Sequence, residues 1–276
     1  MKLFFTLIFT IFISHFVHAN NSQRIIALSP HSVEILYAIG AGKQIVATLS
    51  HADYPKQARQ IPIIGNYHGI QIEKVLDLKP DLIIAWKTGN KIQDLKRLES
   101  LGYKIFYSNP QTIDEVSADI SKIAKLIHQQ KNTEQVIKKL ETEYQYIKAL
   151  YSNKKRVDVF YQLWHSPLRT IGSNNWINSL INDCGGNNIF ANSTTTYPMI
   201  SMENLLSKNP QLVIIPVDFK ADNINKTELE LWSKWQHIAA VKNKHIYQID
   251  SDLLHRQTPR AVEGLSELCK LIDLAR

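Results

Sequence analysis

Aromatic, imidazole and charged side chains recur just beyond the short apolar runs of this chain. His51, Asp53 and Tyr54 follow the run Ile45–Leu49, and Tyr67 and His68 come soon after. Trp86 closes the run Asp81–Trp86, and Trp164 and His165 follow Arg156–Leu163. Tyr197 stands in a later loop, and Asp252, His255 and Arg256 follow Lys244–Ile249. Flat rings bind large planar ligands through buried area and stacking, each ring burying roughly 150–250 Å². Such a pocket needs only a few polar groups to fix orientation, a role open to Asp252 and Arg256. A lone Trp or Tyr is most often core and a lone His most often a surface residue. The shared placement of these residues is what points to a site.

Catalytic signatures are missing. The sequence contains no G-x-G-x-x-G, Walker A, H-E-x-x-H, G-x-S-x-G or C-x-x-C motif. No carboxylate pair or His–Ser spacing stands out, so no catalytic residue and no metal ligand set is assigned. The expectation is a binding protein. The rival from another class is a secreted metal-dependent or hydrolytic enzyme using the same histidines, since triads assemble in space rather than in sequence.

The elements that must hold these residues are those of an α/β fold. Strands are expected at Arg24–Ser29, Ile45–Leu49, Asp81–Trp86 and Tyr103–Tyr107, then at Arg156–Leu163, Gln211–Val217 and Lys244–Ile249. Their Ile/Val-rich, mostly non-alternating character suits strands covered on both faces. Ser32 is expected to cap a helix ending at Gly40, and Ser173 one ending at Gly185. Thr112 and Glu115 have capping-box spacing, followed by the face Ile113, Val116, Ile120, Ile123, Ile127. A second helix begins near Asn132, with Val136, Leu140, Tyr144, Ile147 and Tyr151 along one side. About 20 helical residues span roughly 30 Å, enough for a strut between two lobes. The division expected is 1–19 signal peptide, 20–130 first lobe, 131–152 bridging helix and 153–276 second lobe. Each lobe is Rossmann-like, with the ligand cleft between them, where strand-end loops gather.

The halves resemble each other. Ile72–Ile84 aligns without gaps on Met202–Ile214, 130 positions on, with Glu73 against Glu203 and Pro80 against Pro210; Tyr67 matches Tyr197 at the same offset. A gapless match with Glu, Pro and Tyr in register favours duplication over coincidence of helix–turn–strand patterns. Each Glu at minimum suits its helix N-terminus, worth ~0.3–1 kcal/mol.

Lys2, the apolar run Leu3–Val17 and the sequence Val17-His18-Ala19 read as a secretory signal peptide cleaved after Ala19. The run is short of the ~20 residues a bilayer span needs. Export would let Cys184 and Cys269, the only cysteines, form a disulfide; the alternative is two buried thiols. The 276 residues carry a formal net charge of +7, with 44% hydrophobic and 21% charged, which excludes a disordered chain. The basic residues are spread out and no basic block interleaves with aromatics, so no nucleic-acid partner is expected.

Several stretches resemble the periplasmic substrate-binding proteins of ABC importers whose lobes are joined by a helical backbone. They are Arg24–Pro30, Ser50–Pro55, Leu78–Trp86, Asp183–Phe190 and Ser251 through Arg260. The resemblance covers essentially the whole mature chain. That class takes up cobalamin, haem and ferric siderophores, and the Cys184/Cys269 pair, Trp86 and Asp252–Arg256 look like its cobalamin-binding members. The resemblance implies a periplasmic, non-enzymatic monomer that captures a corrinoid and hands it to a membrane permease dimer; haem or a ferric siderophore is the alternative cargo. It implies cleft positions at His51, Tyr67, Trp86, Tyr197, Asp252 and Arg256, to which the placement of Trp164 and His255 after apolar runs adds two more. Asp252 and Arg256 would meet corrin amides, Cys184 and Cys269 would form the family disulfide, and Glu73 and Glu203 would dock on permease arginines. The departures are His51 where the family has Tyr, Tyr67 and Tyr197 where it has Trp, and Leu253 and Leu254 where it has aromatics. His51 thereby adds an imidazole that could approach cobalt or haem iron.

Overall fold

The computed structural model describes residues 23–220 and 226–276, without the side chains of 226–228. The signal peptide expected at 1–19 lies outside the described residues. The first lobe runs β1 (Ile25–Ala27), α1 (Pro30–Ala38), β2 (Ile45–Thr48), the hairpin β3 (Gly65–Asn66) and β4 (Gly69–Ile70), α2 (Ile72–Leu78), β5 (Leu82–Trp86), α3 (Ile92–Ser100) and β6 (Ile105–Ser108). Two helices follow, α4 (Ile113–Leu126) and α5 (Gln130–Tyr151). The second lobe opens with β7 (Val157–Tyr161), the hairpin β8 (Trp164–His165) and β9 (Leu168–Arg169), α6 (Trp176–Asp183), β10 (Gly186–Asn188) and α7 (Met202–Lys208). It closes with β11 (Leu212–Val217), α8 (Lys226–Trp232), α9 (Ala239–Lys242), β12 (Ile246–Asp250), α10 (Ser251–His255) and α11 (Ala261–Leu274).

Each lobe is built on a four-stranded sheet, β2-β1-β5-β6 in the first and β10-β7-β11-β12 in the second. Every pairing in both is parallel. Numbered within its own lobe, each sheet reads 2-1-3-4, so the two halves share one topology. The resemblance extends to detail. Helices α2 and α7 are both seven residues long, and both end in a left-handed residue, Lys79 (φ 46°) and Asn209 (φ 42°), 130 positions apart.

The strands divide their side chains by alternation. Ile25 and Ala27 face one core cluster, and Ile26 and Leu28 face another. The first of these clusters runs through the whole molecule. It joins Ile25 and Ile84 of the first sheet to Val116 and Ile120 of α4, Leu140 and Tyr144 of α5, Val157 and Ile214 of the second sheet, and Leu265 and Leu268 of α11. Helix α5 packs on both α4 and α11, and its expected apolar side is the buried one at Leu140, Tyr144 and Ile147. The Tyr144 hydroxyl donates to Asp183 at 2.8 Å, and the Lys148 ammonium lies 3.0 Å from the Asp183 carboxylate. The rod is thus tied to α6 by polar contacts as well as by packing.

Three local expectations are corrected. Helix α1 is capped by Ser29, whose Oγ accepts from the Ser32 N–H at 3.2 Å, rather than by Ser32. Pro30 has no N–H and a fixed φ suited to the first helical position, which moves the cap one residue before it. Helix α6 is capped by Asn175, whose Oδ1 accepts from the Ile177 N–H at 2.9 Å, rather than by Ser173. Strand β10, Gly186-Asn187-Asn188, was not expected, because Gly and Asn are poor strand formers. Gly186 is required there, since a Cβ would come within 2.7 Å of the Ile181 side chain. At Thr112 the cap is as expected, its Oγ1 accepting from the Glu115 N–H at 3.2 Å, while the Glu115 carboxylate accepts from Gln111 at 2.7 Å.

Cys184, at the end of α6, is bonded to Cys269 in α11, 85 residues away.

Candidate cleft between the lobes

Trp86 is the last residue of β5, and the following loop is shaped around it. Its backbone N–H donates to Asn90 Oδ1 at 2.7 Å, and the Asn90 amide donates to the Leu28 carbonyl at 2.8 Å. Any Cβ at Gly89 would run into the Trp86 ring, so only glycine leaves the indole its place. Against its edge stands His31, with ring centroids 5.6 Å apart at 89°. His31 belongs to the first turn of α1 and is 2% exposed. Burial holds its imidazole neutral, with a pKa pushed down to about 3.

The lobes meet at a cluster of six charged groups. Glu34, buried in the apolar helix α1, accepts from Arg256 at 2.9 Å and from both Nε and Nη2 of Arg260 at 2.9 Å. Arg256 also reaches Asp53 at 2.8 Å and Asp252 at 2.7 Å. Lys220 bridges Asp53 at 2.8 Å and Asp252 at 2.5 Å. The Arg260 guanidinium lies 3.6 Å over the Tyr54 ring. Glu34, Asp53 and Tyr54 come from the first lobe and the three cations with Asp252 from the second, so the pairs made by Glu34 and Asp53 span the junction and the cluster's charge is balanced. Burial tends to raise the Asp53 carboxyl, but hydrogen bonds and charge from Lys220 and Arg256 outweigh it and hold the pKa at about 2.

Two cavities open on this junction. The smaller, about 360 Å³, is lined by His31, His51, Asp53, Trp86, Asp252, His255 and Arg256 among others. The larger, about 920 Å³, is lined by rings, apolar side chains and amides: Trp86, Trp176 and Tyr197, Leu163 and Ile171, and Asn109, Gln111, Asn174, Asn175 and Gln257. Trp86 and His255 line both, so the two cavities adjoin at these side chains. Among the described residues, no Asp, Glu, Lys or Arg lines the larger cavity. Its one titratable imidazole, His255, is exposed to the cleft yet closely surrounded by protein, and lies 2.8 Å from the Tyr161 hydroxyl. Desolvation lowers its pKa and keeps it uncharged.

Of the eight cleft positions expected, the structure brings together His51, Trp86, Tyr197, Asp252, His255 and Arg256. Tyr67, 70% exposed with its ring tilted 38° to that of His68 at 3.8 Å, and Trp164, 58% exposed on β8, line neither cavity and stand on the two hairpins. The Arg256 guanidinium is engaged by Glu34, Asp53 and Asp252, so its charge reaches the cleft already balanced. His51 follows β2 with a left-handed backbone (φ 70°), and its carbonyl accepts from Arg256 at 3.4 Å. Among the described residues, no three of His, Cys, Asp or Glu are arranged to hold a metal ion. Sequence reasoning missed His31, Glu34, Gln257 and Trp176, whose indole donates to the Leu254 carbonyl at 2.6 Å. Glu34 carried a readable signal, a carboxylate inside the apolar helix Pro30–Ala38 that calls for a buried cation.

Glu73 and Glu203 are both exposed, each in the first turn of its helix, α2 or α7. Ser201 caps α7, accepting from the Asn204 N–H at 3.2 Å, and its hydroxyl helps lower the Glu203 pKa.

Two alike α/β lobes, one shared rod and a ring-walled cleft at the strand ends define a two-lobed solute-binding protein. The chain belongs to the periplasmic binding protein family, whose model matches residues 25–253. It is 32% identical over 262 residues to the vitamin B12-binding protein of Vibrio parahaemolyticus, covering 94% of this chain and 93% of that one. The crystal structure of the periplasmic vitamin B12-binding protein of Vibrio cholerae superposes with a TM-score of 0.85 at 33% identity, covering 92% of this chain and 97% of that one. A periplasmic heme-binding protein from Roseiflexus shares the fold, with a TM-score of 0.80 at 21% identity over 92% of this chain and 100% of that one.

Proposed function

We propose that this chain captures a corrinoid of the cobalamin type in the cleft between its lobes and delivers it to the permease of an ABC importer. The observation that carries the choice of cargo is the lining of the larger cavity, which offers rings and five carboxamide side chains and, among the described residues, no charge. A corrin ring is flat, large and fringed with neutral carboxamides. Haem carries two propionates, which call for Arg or Lys. The vitamin B12-binding relatives support the same cargo. In this reading Trp86 and Tyr197 supply stacking area, Tyr67 and Trp164 form the rim, and His51, Asp252, His255 and Arg256 line the inner end. Residues 20–130 and 153–276 are the lobes, 131–152 the rod, and 1–19 a cleaved signal peptide that sends a monomer to the periplasm. No chemical step is assigned to it. Calorimetry of the mature chain with cyanocobalamin at micromolar concentration tests the reading; saturable one-to-one binding is expected, and the absence of heat would overturn it.

Haem capture is the second reading, favoured by the three imidazoles His31, His51 and His255 around the smaller cavity. A Soret band that survives gel filtration and is lost in His51→Ala would establish it.

We further assign Glu73 and Glu203, in the matching first turns of α2 and α7, to docking on the two halves of a permease dimer. The double variant Glu73→Arg/Glu203→Arg should keep its affinity for cyanocobalamin and abolish corrinoid-dependent growth. Normal uptake by that variant would remove the docking role.

A further inference from the structure

Three imidazoles line the smaller cavity, and two of them are already engaged. Nε2 of His31 lies 3.4 Å from the Ser29 hydroxyl, and Nε2 of His255 lies 2.8 Å from that of Tyr161. His51 differs. Its side chain is exposed, and among the described residues neither of its ring nitrogens has a hydrogen-bond partner. The backbone beneath it is held. The His51 carbonyl accepts from the Asp53 N–H at 3.1 Å and from Arg256 at 3.4 Å, and the next residue, Ala52, is buried. A fixed backbone thus presents to the cavity an imidazole with both nitrogens uncommitted.

The same cavity carries surplus negative charge. Asp218 joins Asp53 and Asp252 on its wall. Those two, with Glu34, are balanced by Lys220, Arg256 and Arg260, so Asp218 is a fourth carboxylate against three cations. Among the described residues Asp218 makes no ion pair; its Oδ1 accepts from the Lys220 backbone N–H at 2.9 Å. A free nitrogen donor and an unpaired carboxylate in one cavity suit a cationic metal centre. One imidazole is too few for a bare ion. A corrin ring, however, brings four nitrogens to its own cobalt and leaves the protein only an axial position to fill.

We infer that His51 is an axial ligand for the cobalt of the captured corrinoid, so that this chain favours corrinoids whose axial ligand is an exchangeable water over those blocked by cyanide. The step is a ligand exchange. The imidazole lone pair forms a bond to cobalt(III), the water leaves with its own electron pair, and neither charge nor oxidation state changes. The smaller cavity, about 360 Å³, takes the axial group, and the larger one adjoining it takes the ring. Asp218 favours the positive charge that aquocobalamin carries and cyanocobalamin lacks. The inference rests on the corrinoid reading above and goes further by assigning the contact that selects among corrinoids.

The test adds aquocobalamin or cyanocobalamin to the mature chain, His51→Asn and Asp218→Asn, and reads absorption spectra and calorimetric affinities. Asn tolerates the left-handed backbone of position 51, and binding of cyanocobalamin by each variant reports that its cleft is intact. With the wild type, the bands of aquocobalamin should move to those it takes with free imidazole, and it should bind about 10-fold or more tighter than cyanocobalamin. In His51→Asn the band shift should vanish and the two affinities should come within about threefold of each other, with that for cyanocobalamin unchanged. Asp218→Asn should keep the band shift and weaken aquocobalamin alone. Absence of the shift in the wild type, or its survival in His51→Asn, would overturn the inference while one-to-one binding of cyanocobalamin leaves the corrinoid reading standing. Failure of cyanocobalamin to bind the wild type would overturn both.

Discussion

His31 is a neutral imidazole sealed beneath a tryptophan edge, and this gives it a pH signature. Its folded-state pKa of about 3 lies far below the ordinary value of 6.5. Above pH ~6.5 neither state holds the proton. As pH falls below that, the unfolded chain takes up a proton that the folded chain refuses until about 3, so stability drains across that window. The full effect is on the order of 5 kcal/mol. Thermal midpoints measured from pH 7 to pH 3.5 should fall less steeply in His31→Gln than in the wild type, with the remainder coming from His255, whose pKa is also lowered. Asp53 adds its own loss only below pH ~4, as its depressed carboxyl is titrated. At this scale the sequence was half legible. Trp86 betrayed itself by closing an apolar run, and Tyr197 by its match to Tyr67 at the 130-residue offset. The pairing of Glu34 with Arg256 joins residues 222 apart, and no local pattern announces which distant cation a buried carboxylate will meet. Gln257 carried no signal, because an amide becomes part of a cleft wall only once its surroundings are assembled.

The helices and strands were read well where hydrophobic periodicity drove them and poorly where a backbone requirement did. β5 and β11, all apolar and covered on both faces, fell where expected. β10 is a strand of glycine and asparagine held by its register against β7 and by the space Ile181 leaves, neither of which is written in propensity. Cys184 and Cys269 tie the end of α6 to α11 across 85 residues. Closing a loop of that length is worth about 4–5 kcal/mol in the chain-entropy model. Cys184→Ala/Cys269→Ala should therefore lower the thermal midpoint by on the order of 10 °C. Neither cysteine lines the cleft, so affinity for cyanocobalamin should stay within about twofold in the same variant.

At the scale of the molecule, two sheets, α4, α5 and α11 contribute to one apolar cluster. Moving the lobes apart would shear that cluster, and the balanced ion pairs between Glu34, Asp53 and the cations of the second lobe oppose the same motion. Solution scattering should give the same radius of gyration with and without cyanocobalamin, and calorimetric melting should show a single transition; a ligand-dependent contraction would contradict the shared core. The two-lobe plan and the rod were visible in the alternation of strands and helices and in the 130-residue repeat. The continuity of the core was not, since it depends on which sheet faces turn toward the rod. That continuity orders assembly in time. Each sheet draws its strands from one half of the chain only, so a chain emerging N-terminus first can finish its first sheet while the second is still being threaded. The pieces that must wait are α5 and α11: α5 has both of its neighbours only when the fourteen residues of α11 arrive. Synthesis therefore ends on the keystone, and a nascent chain stalled before Ala261 would hold two finished sheets around an open seam.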